Sequence, residues 1–517
     1  MKLVTVAEMR ALEQAAVDAG VPEVQLMEEA GLAVAQEAWL MLGTLEGRRI
    51  VALAGAGNNG GDAIVAARHL AGWGAEVTVC LPDGHRVESR VDGLGEYGIT
   101  VSGPSGAAAL PGLLMNAELV IDGLLGIGNA RAVEPESPTG QALTALADAR
   151  QGYSPPKVIA VDVPTGVNAD TGAVDPLTVK PDLTVTFGFP KVGMYQLPAS
   201  GMLGNVQVID IGIPRAALGI VQLELLTSRW VREAIPPRPE DANKGTFGRL
   251  LVVGGSRRYQ GAPRLAATAA YRAGAGLVTV AAPGGIIAGL AAGIPEATWL
   301  PLPEAEGGEI EDSAVFTLRA EWPNYSAAVL GPGMGDTENT RALTWAALAD
   351  AGIDLPNGIV IDADALNALA SMADAAERIP ANAILTPHPG EMGRLLGRTT
   401  AEVQADRLGA ARDAARRLGC TVVLKGAHSV IAAADGRGAL SPFANPLLAT
   451  AGTGDVLAGM IGAYLAQRME PFEAACLGVY LHGAAGEALR VELGEAGLLA
   501  SELATRLPSL VRELIAP

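Results

Sequence analysis

Gly55-Ala-Gly-Asn-Asn-Gly-Gly-Asp62 puts close-approach glycines, two carboxamides and a carboxylate into one short segment. A glycine-rich loop of this kind lets backbone N–H groups approach a phosphate where a strand turns into a helix. The spacing is not G-x-G-x-x-G, and Asn58 and Asn59 stand where a dinucleotide fingerprint has unreactive spacers, so a polar or ion-binding role is expected. Two further strand ends, Ile121-Asp-Gly-Leu-Leu-Gly-Ile-Gly128 and Ala160-Val-Asp-Val-Pro-Thr-Gly166, carry carboxylates. If their strands are neighbours, Asp62, Asp122 and Asp162 converge with Asn59 and Thr165 into an all-oxygen site for a hard cation.

The second half carries a different set. In Ala451-Gly-Thr-Gly-Asp-Val-Leu-Ala-Gly459, Gly452 and Gly454 free backbone amides at the start of a long apolar helix. That is an anion cradle, with Asp455 placed to take a proton from a hydroxyl attacking phosphorus there. Leu385-Thr-Pro-His-Pro-Gly-Glu391 holds His388 between prolines, Lys425-Gly-Ala-His-Ser429 offers a cation and a hydroxyl, and Gly331-Pro-Gly-Met-Gly335 is a fourth close-approach loop. The chain has six lysines, so Lys425 after an apolar strand is not surface filler. The P-loop spacing G-x-x-x-x-G-K-[ST] is absent.

Elements that position these residues follow from the hydrophobic pattern. Thr5-Val-Ala-Glu8 is a capping box that opens one helix, and a second follows over 24–42. Unbroken apolar runs at 50–54, 76–81, 118–121, 157–161, 183–187 and 205–211 alternate with helical stretches. They predict a parallel sheet covered on both faces, which binds ligands at the carboxyl ends of its strands. The alternation restarts at 249–253, 276–281, 327–330, 358–361, 384–386 and 421–424, returns through Val430 and ends in three helices. The Pro-rich segment 232–240 reads as a connector, and the boundary is placed near 225, giving domains 1–224 and 225–517.

A chain of 517 residues exceeds one domain core. Lys+Arg 37 against Asp+Glu 56 leaves a net charge of −19, which repels nucleic acid and anionic membranes while allowing a small phosphorylated ligand. Hydrophobic residues make up 49% and aromatics 4%, so the cores are aliphatic. Cys80, Cys420 and Cys476 form no metal-spaced set and suit a reducing, cytoplasmic setting. The uncharged run 273–295 is broken by Pro283 and several glycines and reads as strand, loop and short helix rather than a membrane span. Apolar faces on the N-terminal helices lead us to expect a homo-oligomer.

Carried on these motifs, residues 1–220 resemble NAD(P)H-hydrate epimerase domains, and residues 225–517 resemble ADP/ATP-dependent NAD(P)H-hydrate dehydratases of the ribokinase-like fold. The second resemblance also rests on Asn243-Lys-Gly-Thr-Phe-Gly, Gly261-Ala-Pro-Arg-Leu-Ala-Ala and Gly274-Ala-Gly-Leu-Val. It implies an α/β protein, a Rossmann-like parallel-sheet domain followed by a ribokinase-like domain. The implied activities are interconversion of R- and S-NAD(P)HX and dehydration of S-NAD(P)HX to NAD(P)H, with ADP as phosphoryl donor and AMP and phosphate released.

The resemblance implies potassium (K+) at Asn59, Asp122 and Thr165. It places substrate, NADHX or NADPHX, at Asn58, Asn59, Gly60, Gly61, Asp62, Gly126, Ile127, Gly128, Asn129, Ala130, Arg131, Ala132 and Asp162. Asp162 is the expected proton carrier of the epimerase. For the dehydratase it implies Mg2+, substrate at Ala262, Gly333, His388 and Asp455, and nucleotide at Lys425, Gly426, Ala427, His428, Ser429 and Gly454. Asp455 is the expected catalytic base. Thr165, Ile127 and Asn243 depart from the commoner Ser, Thr and His; the first keeps a hydroxyl. A small-molecule kinase shares the Gly-Thr-Gly-Asp chemistry but leaves the first domain without a role, and a scaffold role for that domain leaves its polar residues without one.

Overall fold

Arg49–Ala54 (β1) is buried at every position after Arg49, as a strand covered on both faces must be. The computed structural model describes residues 1–82, 91–128, 132–348 and 355–516. The chain divides into two units, Met1–Gln222 and Leu223–Pro517.

In the first unit, Thr5 and Glu8 close a capping box on helix α1 (Val6–Asp18), and α2 (Glu23–Leu42) follows. After β1 come α3 (Asn58–Gly72), β2 (Glu76–Cys80), β3 (Thr100–Ser102), β4 (Leu119–Gly123), β5 (Lys157–Val161), β6 (Leu183–Phe187) and β7 (Asn205–Ile209). The strand order is β3-β2-β1-β4-β5-β6-β7, and every pair is parallel. The order reverses between β1 and β4, the place where such sheets open a ligand crevice. Leu53 lies beside Asp122 and Asp122 beside Ala160, so the strand-end motifs share one rim. The turn into α3 needs glycine by close approach: a Cβ at Gly60 would stand 1.8 Å from the Gly55 carbonyl oxygen.

The second unit is built on β8 (Leu223–Leu225), β9 (Arg249–Val253), β10 (Leu277–Pro283), β11 (Thr298–Leu302), β12 (Ala327–Leu330), β13 (Ile359–Ile361), β14 (Ala383–Leu385), β15 (Thr421–Leu424), β16 (Val430–Ala432) and β17 (Gly438–Leu440). The order is β11-β10-β9-β12-β13-β14-β15-β16-β17-β8, with β16 antiparallel to both neighbours. The helices Gly261–Arg272, Thr453–Ala466, Pro471–Leu493 and Ala500–Ile515 pack together over one face, around an Ala- and Leu-rich core.

The structure corrects the sequence reading in several places. The short strands β3, β11, β17 and β8 escape a pattern search, since each is three to five residues long and lies towards a sheet edge. The expected connector 232–240 starts inside a helix, Ser228–Ala234, that packs on the second unit, where Arg232 donates to the Leu514 carbonyl. The run 273–295 is strand β10 and a short helix, Gly284–Ala291, as expected, and no described helix is long and apolar enough to cross a membrane.

Helix Thr453–Ala466 lies so close to Gly261–Arg272 that a Cβ at Gly459 would come 2.0 Å from the Ala266 carbonyl oxygen. Gly459→Ala is therefore expected to destabilise the second unit by about 1–3 kcal/mol or more, read as a lower urea midpoint with an unchanged slope.

Candidate functional site

At the β1/β4 crevice of the first unit lies a cavity of about 710 Å³, lined by α1, α2, the Ala56–Asp62 turn, Leu124–Gly128, Asp162 and Phe187. Asn58, Asn59, Asp62, Gly126, Ile127 and Gly128 all face it, while Gly60 and Gly61 are buried in the turn behind. Ala132 is exposed, and Asn129, Ala130 and Arg131 lie outside the described residues.

Asp162 follows β5 with φ 63°, a strained backbone for an aspartate, and its N–H donates to the Val185 carbonyl. Its carboxylate Oδ1 accepts from the Thr186 hydroxyl at 3.0 Å, from the Phe187 N–H at 3.3 Å and from the Lys191 ammonium. Lys191 is fully buried and spends its other donors on Thr186 Oγ1 at 2.9 Å and the Phe187 carbonyl at 3.1 Å. The hydrogen bonds that described residues make to this carboxylate fall on Oδ1, which leaves Oδ2 for the cavity.

Beside the cavity, Asp122 accepts the Thr165 hydroxyl at 2.6 Å and the Thr165 N–H at 3.0 Å. Asn59 is held by its amide, which donates to the Val161 carbonyl at 2.6 Å, and its Oδ1 lies against Gly126. Asp122 is 2% exposed and has no cation within ion-pair distance among the described residues, and burial raises its carboxyl above the ordinary range. One buried carboxylate among neutral oxygens fits a hard monovalent cation. The expected convergence of three carboxylates is corrected: among the described residues no three His, Cys, Asp or Glu side chains form a metal-holding group. The reason is that Asp162 is drawn to Lys191.

In the second unit the strand-end loops meet around a second, partly buried lysine. Lys425 donates to Asp362 at 2.6 Å and lies 4.0 Å from Glu391, while Asp362 is 1% exposed. Gly452 caps helix Thr453–Ala466 in the left-handed region with φ 90°. A Cβ on Gly454 would lie 3.4 Å from the Lys425 ammonium, so the cradle and the cation adjoin. Asp455 is pushed up to about 7, first by burial and then by Asp362, with Lys425 pulling the other way. Glu391 is likewise pushed up to about 7, chiefly by burial.

His388 caps the helix Pro389–Leu396: its Nδ1 accepts from the N–H groups of Gly390 and Glu391 at 3.0 and 3.3 Å. That fixes the ring proton on Nε2, and burial, with Lys425 next, lowers its pKa, so the ring is a neutral donor. Ala262 and Gly333 adjoin, since a Cβ at Gly333 would sit 2.9 Å from that of Ala262. His428 is buried, with Nδ1 at 3.1 Å from the Ser441 carbonyl, so this loop presents its backbone and Ser429 rather than that ring. Asp364 accepts the Gly335 N–H at 2.8 Å, and one or two carboxylates with nucleotide phosphates suffice for Mg2+.

Lys191, Asp362, Glu391 and Arg407 belong to these sites and were not singled out as site residues from the sequence. Arg407 donates to the Leu424 and Lys425 carbonyls from beneath the loop, and burial lowers its pKa to about 10. The scarcity of lysine was a usable signal for Lys191; nothing marks Arg407.

The fold and the two sites define a two-unit α/β enzyme with a ribokinase-like second half. A family model for NAD(P)H-hydrate dehydratase matches residues 250–509, and one for the YjeF-related protein N-terminus matches 23–193. A ribokinase-like superfamily protein of Enterococcus faecalis V583 is similar with a TM-score of 0.50 and 27% identity, covering 57% of this chain and 98% of that one. The bifunctional NAD(P)H-hydrate repair enzyme of Moorella thermoacetica is 38% identical over 99% of this chain and 97% of its own length. That of Escherichia coli K12 is 33% identical over 90% and 85%. The chain belongs to the bifunctional NAD(P)H-hydrate repair enzymes, which epimerise hydrated NAD(P)H and dehydrate it.

Removing Lys191 strands a buried carboxylate. Lys191→Met is expected to cost the first unit about 3–5 kcal/mol, read by denaturant unfolding followed on Trp39 and Trp73 fluorescence.

Proposed function

We propose that the first-unit cavity inverts the hydrated carbon of NAD(P)HX and that the Lys425–Asp455 site removes its water at the expense of ADP, releasing AMP and phosphate. The observation that carries the reading is Asp455, a carboxyl raised to about 7, beside a glycine cradle and a partly buried lysine. Such a group is a base poised at working pH.

In the first unit, Asn58 to Asp62 and Gly126 to Ala132 line the substrate, and Asp162 moves the proton of ring opening and reclosure. Asn59, Asp122 and Thr165 would hold K+, which when bound neutralises the buried Asp122 and steadies the rim. Asp122 and the Thr165 hydroxyl keep that rim in place through their own 2.6 Å bond.

In the second unit, Ala262, Gly333 and His388 hold the hydrate, with the His388 Nε2–H as donor. Lys425, Gly426, Ala427, His428, Ser429 and Gly454 receive the nucleotide. Mg2+ bound with it offsets phosphate charge, and Asp364 near Gly335 is the carboxylate at hand. Asp455 takes the proton of the C6 hydroxyl, whose oxygen attacks the terminal phosphorus as AMP leaves. The phosphate ester then departs with its bonding electrons, pushed by the ring nitrogen's lone pair, and loss of a C5 proton restores the double bond.

Exposed Val24, Trp39 and Leu40 on α2 support assembly into a homo-oligomer. Three buried, unpaired cysteines support a reducing, cytoplasmic setting, and the charge of −19 argues against nucleic acid or membrane partners.

Mixed R and S hydrate, supplied with ADP, magnesium and potassium, is expected to be converted completely to NAD(P)H, read by the absorbance of the reduced nicotinamide. Recovery with ATP alone overturns the donor assignment, and accumulation of a stable phosphate ester would return the kinase reading. Asp455→Asn is expected to abolish dehydration and leave epimerisation intact, by chiral separation of the two hydrates. Because the base must be ionised, kcat/KM for dehydration is expected to hold above about pH 7 and fall as pH drops through it.

A further inference from the structure

Inverting the hydrated carbon through ring opening takes two proton carriers. The C6 hydroxyl must give up a proton, and the ring nitrogen must gain one as its bond to C6 breaks. Asp162 Oδ2 supplies the first role on the reading above. The second needs a carboxyl in the same cavity that can hold and release a proton and is tied to nothing else.

Glu13 on α1 lines the cavity together with Asp162. It is half-buried, and no hydrogen bond or ion pair holds it among the described residues, whereas Asp162 carries Lys191. Its carboxyl is held above the ordinary range, first by burial and next by the Asp162 charge, with Lys191 and Arg10 opposing and Glu23 adding. The other acids that line the cavity have partners: Glu23 accepts from Asn58 at 3.3 Å, and Asp62, early in α3, is engaged as well.

The helix that brings Glu13 is fixed to the site's own machinery. Val4 bridges to Lys191, with its N–H on the Pro190 carbonyl and its carbonyl on the Val192 N–H. The Val6 N–H donates to Asp170 at 2.7 Å, and Met9, Leu12 and Ala16, on the same side of α1 as Glu13 by helical spacing, are buried beneath it, with Met9 filling the space beside Gly188. Thus the strand-end loop that pairs Lys191 with Asp162 also sets the height of α1. The family model for this half begins at residue 23, beyond this helix.

We infer that Glu13 is the second catalytic acid–base of the epimerase, donating a proton to the ring nitrogen of NAD(P)HX while Asp162 accepts the hydroxyl proton. The inference rests on the assignment of this cavity as the epimerase site. The step balances. The O–H proton goes to Asp162, the C6–O bond becomes a carbonyl, the C6–N1 electron pair passes to N1, and N1 takes the Glu13 proton. The ring then pivots about the aldehyde and N1 attacks its other face. N1 returns its proton to Glu13, and the oxygen recovers the one on Asp162.

The test compares Glu13→Gln and Asp162→Ala with wild type in the full chain, following R and S hydrate separately with the uncatalysed rate subtracted. Glu13→Gln keeps the shape of a side chain that has no partner to lose, and dehydration of pure S hydrate reports that each preparation is intact. The expected result for Glu13→Gln is a fall of at least about 100-fold in epimerisation kcat, with KM for the hydrate and the rate of S dehydration unchanged. Wild-type epimerisation in Glu13→Gln, or a rise in KM alone, overturns the role of Glu13 if Asp162→Ala is inactive. Epimerisation surviving in Asp162→Ala overturns the cavity assignment and the inference with it.

Discussion

A lysine taken out of water and matched to one strand-end aspartate organises each unit. Lys191 with Asp162 and Lys425 with Asp362 are both ion pairs of low exposure, and an ammonium in that setting survives only when its donors are met. Around Lys191 the partners come from the end of β6 and from Asp162, which follows β5 in a left-handed backbone at the end of the sheet. Around Lys425 they come from the ends of β13 and β14, with Arg407 gripping the carbonyls of the same loop from below. The polar rim of each sheet is thereby held at a fixed height above an aliphatic core.

The same economy governs the acids. In the second unit, Asp362 is matched to Lys425, whereas Asp455 and Glu391 share what is left of that cation and stay raised to about 7. In the first, Asp162 takes Lys191 and Asp122 is left buried with hydroxyl and amide partners alone. A carboxylate short of cation either keeps its proton or recruits an ion. Both outcomes serve a repair enzyme that must move protons in one unit and transfer a phosphoryl group in the other.

Much of this was legible in the chain. The capping box at Thr5, the alternation of apolar runs with helices, and the three closing helices all follow from local pattern, because burial on both faces leaves uninterrupted aliphatic strands. The strand-end motifs were legible for the same reason, since loops of glycine with Asn, Asp or Lys have no packing purpose in an Ala-rich core. The short strands β3, β11, β17 and β8, at or next to a sheet edge, were not, because a strand of three to five residues there gains its identity from a neighbour rather than from its own period.

By itself, then, the sequence determined the class of both sheets, the loops that carry chemistry and the residues with carboxylate, amide or hydroxyl groups at strand ends. Only the tertiary structure decided how those groups are shared. It gave Lys191 to Asp162, broke the expected convergence of three acids, turned His428 into the core and brought Glu13 on α1 to a cavity formed by segments far along the chain. The physical reason is that charge pairing and desolvation are set by distance and burial between segments remote in sequence, which no local pattern encodes.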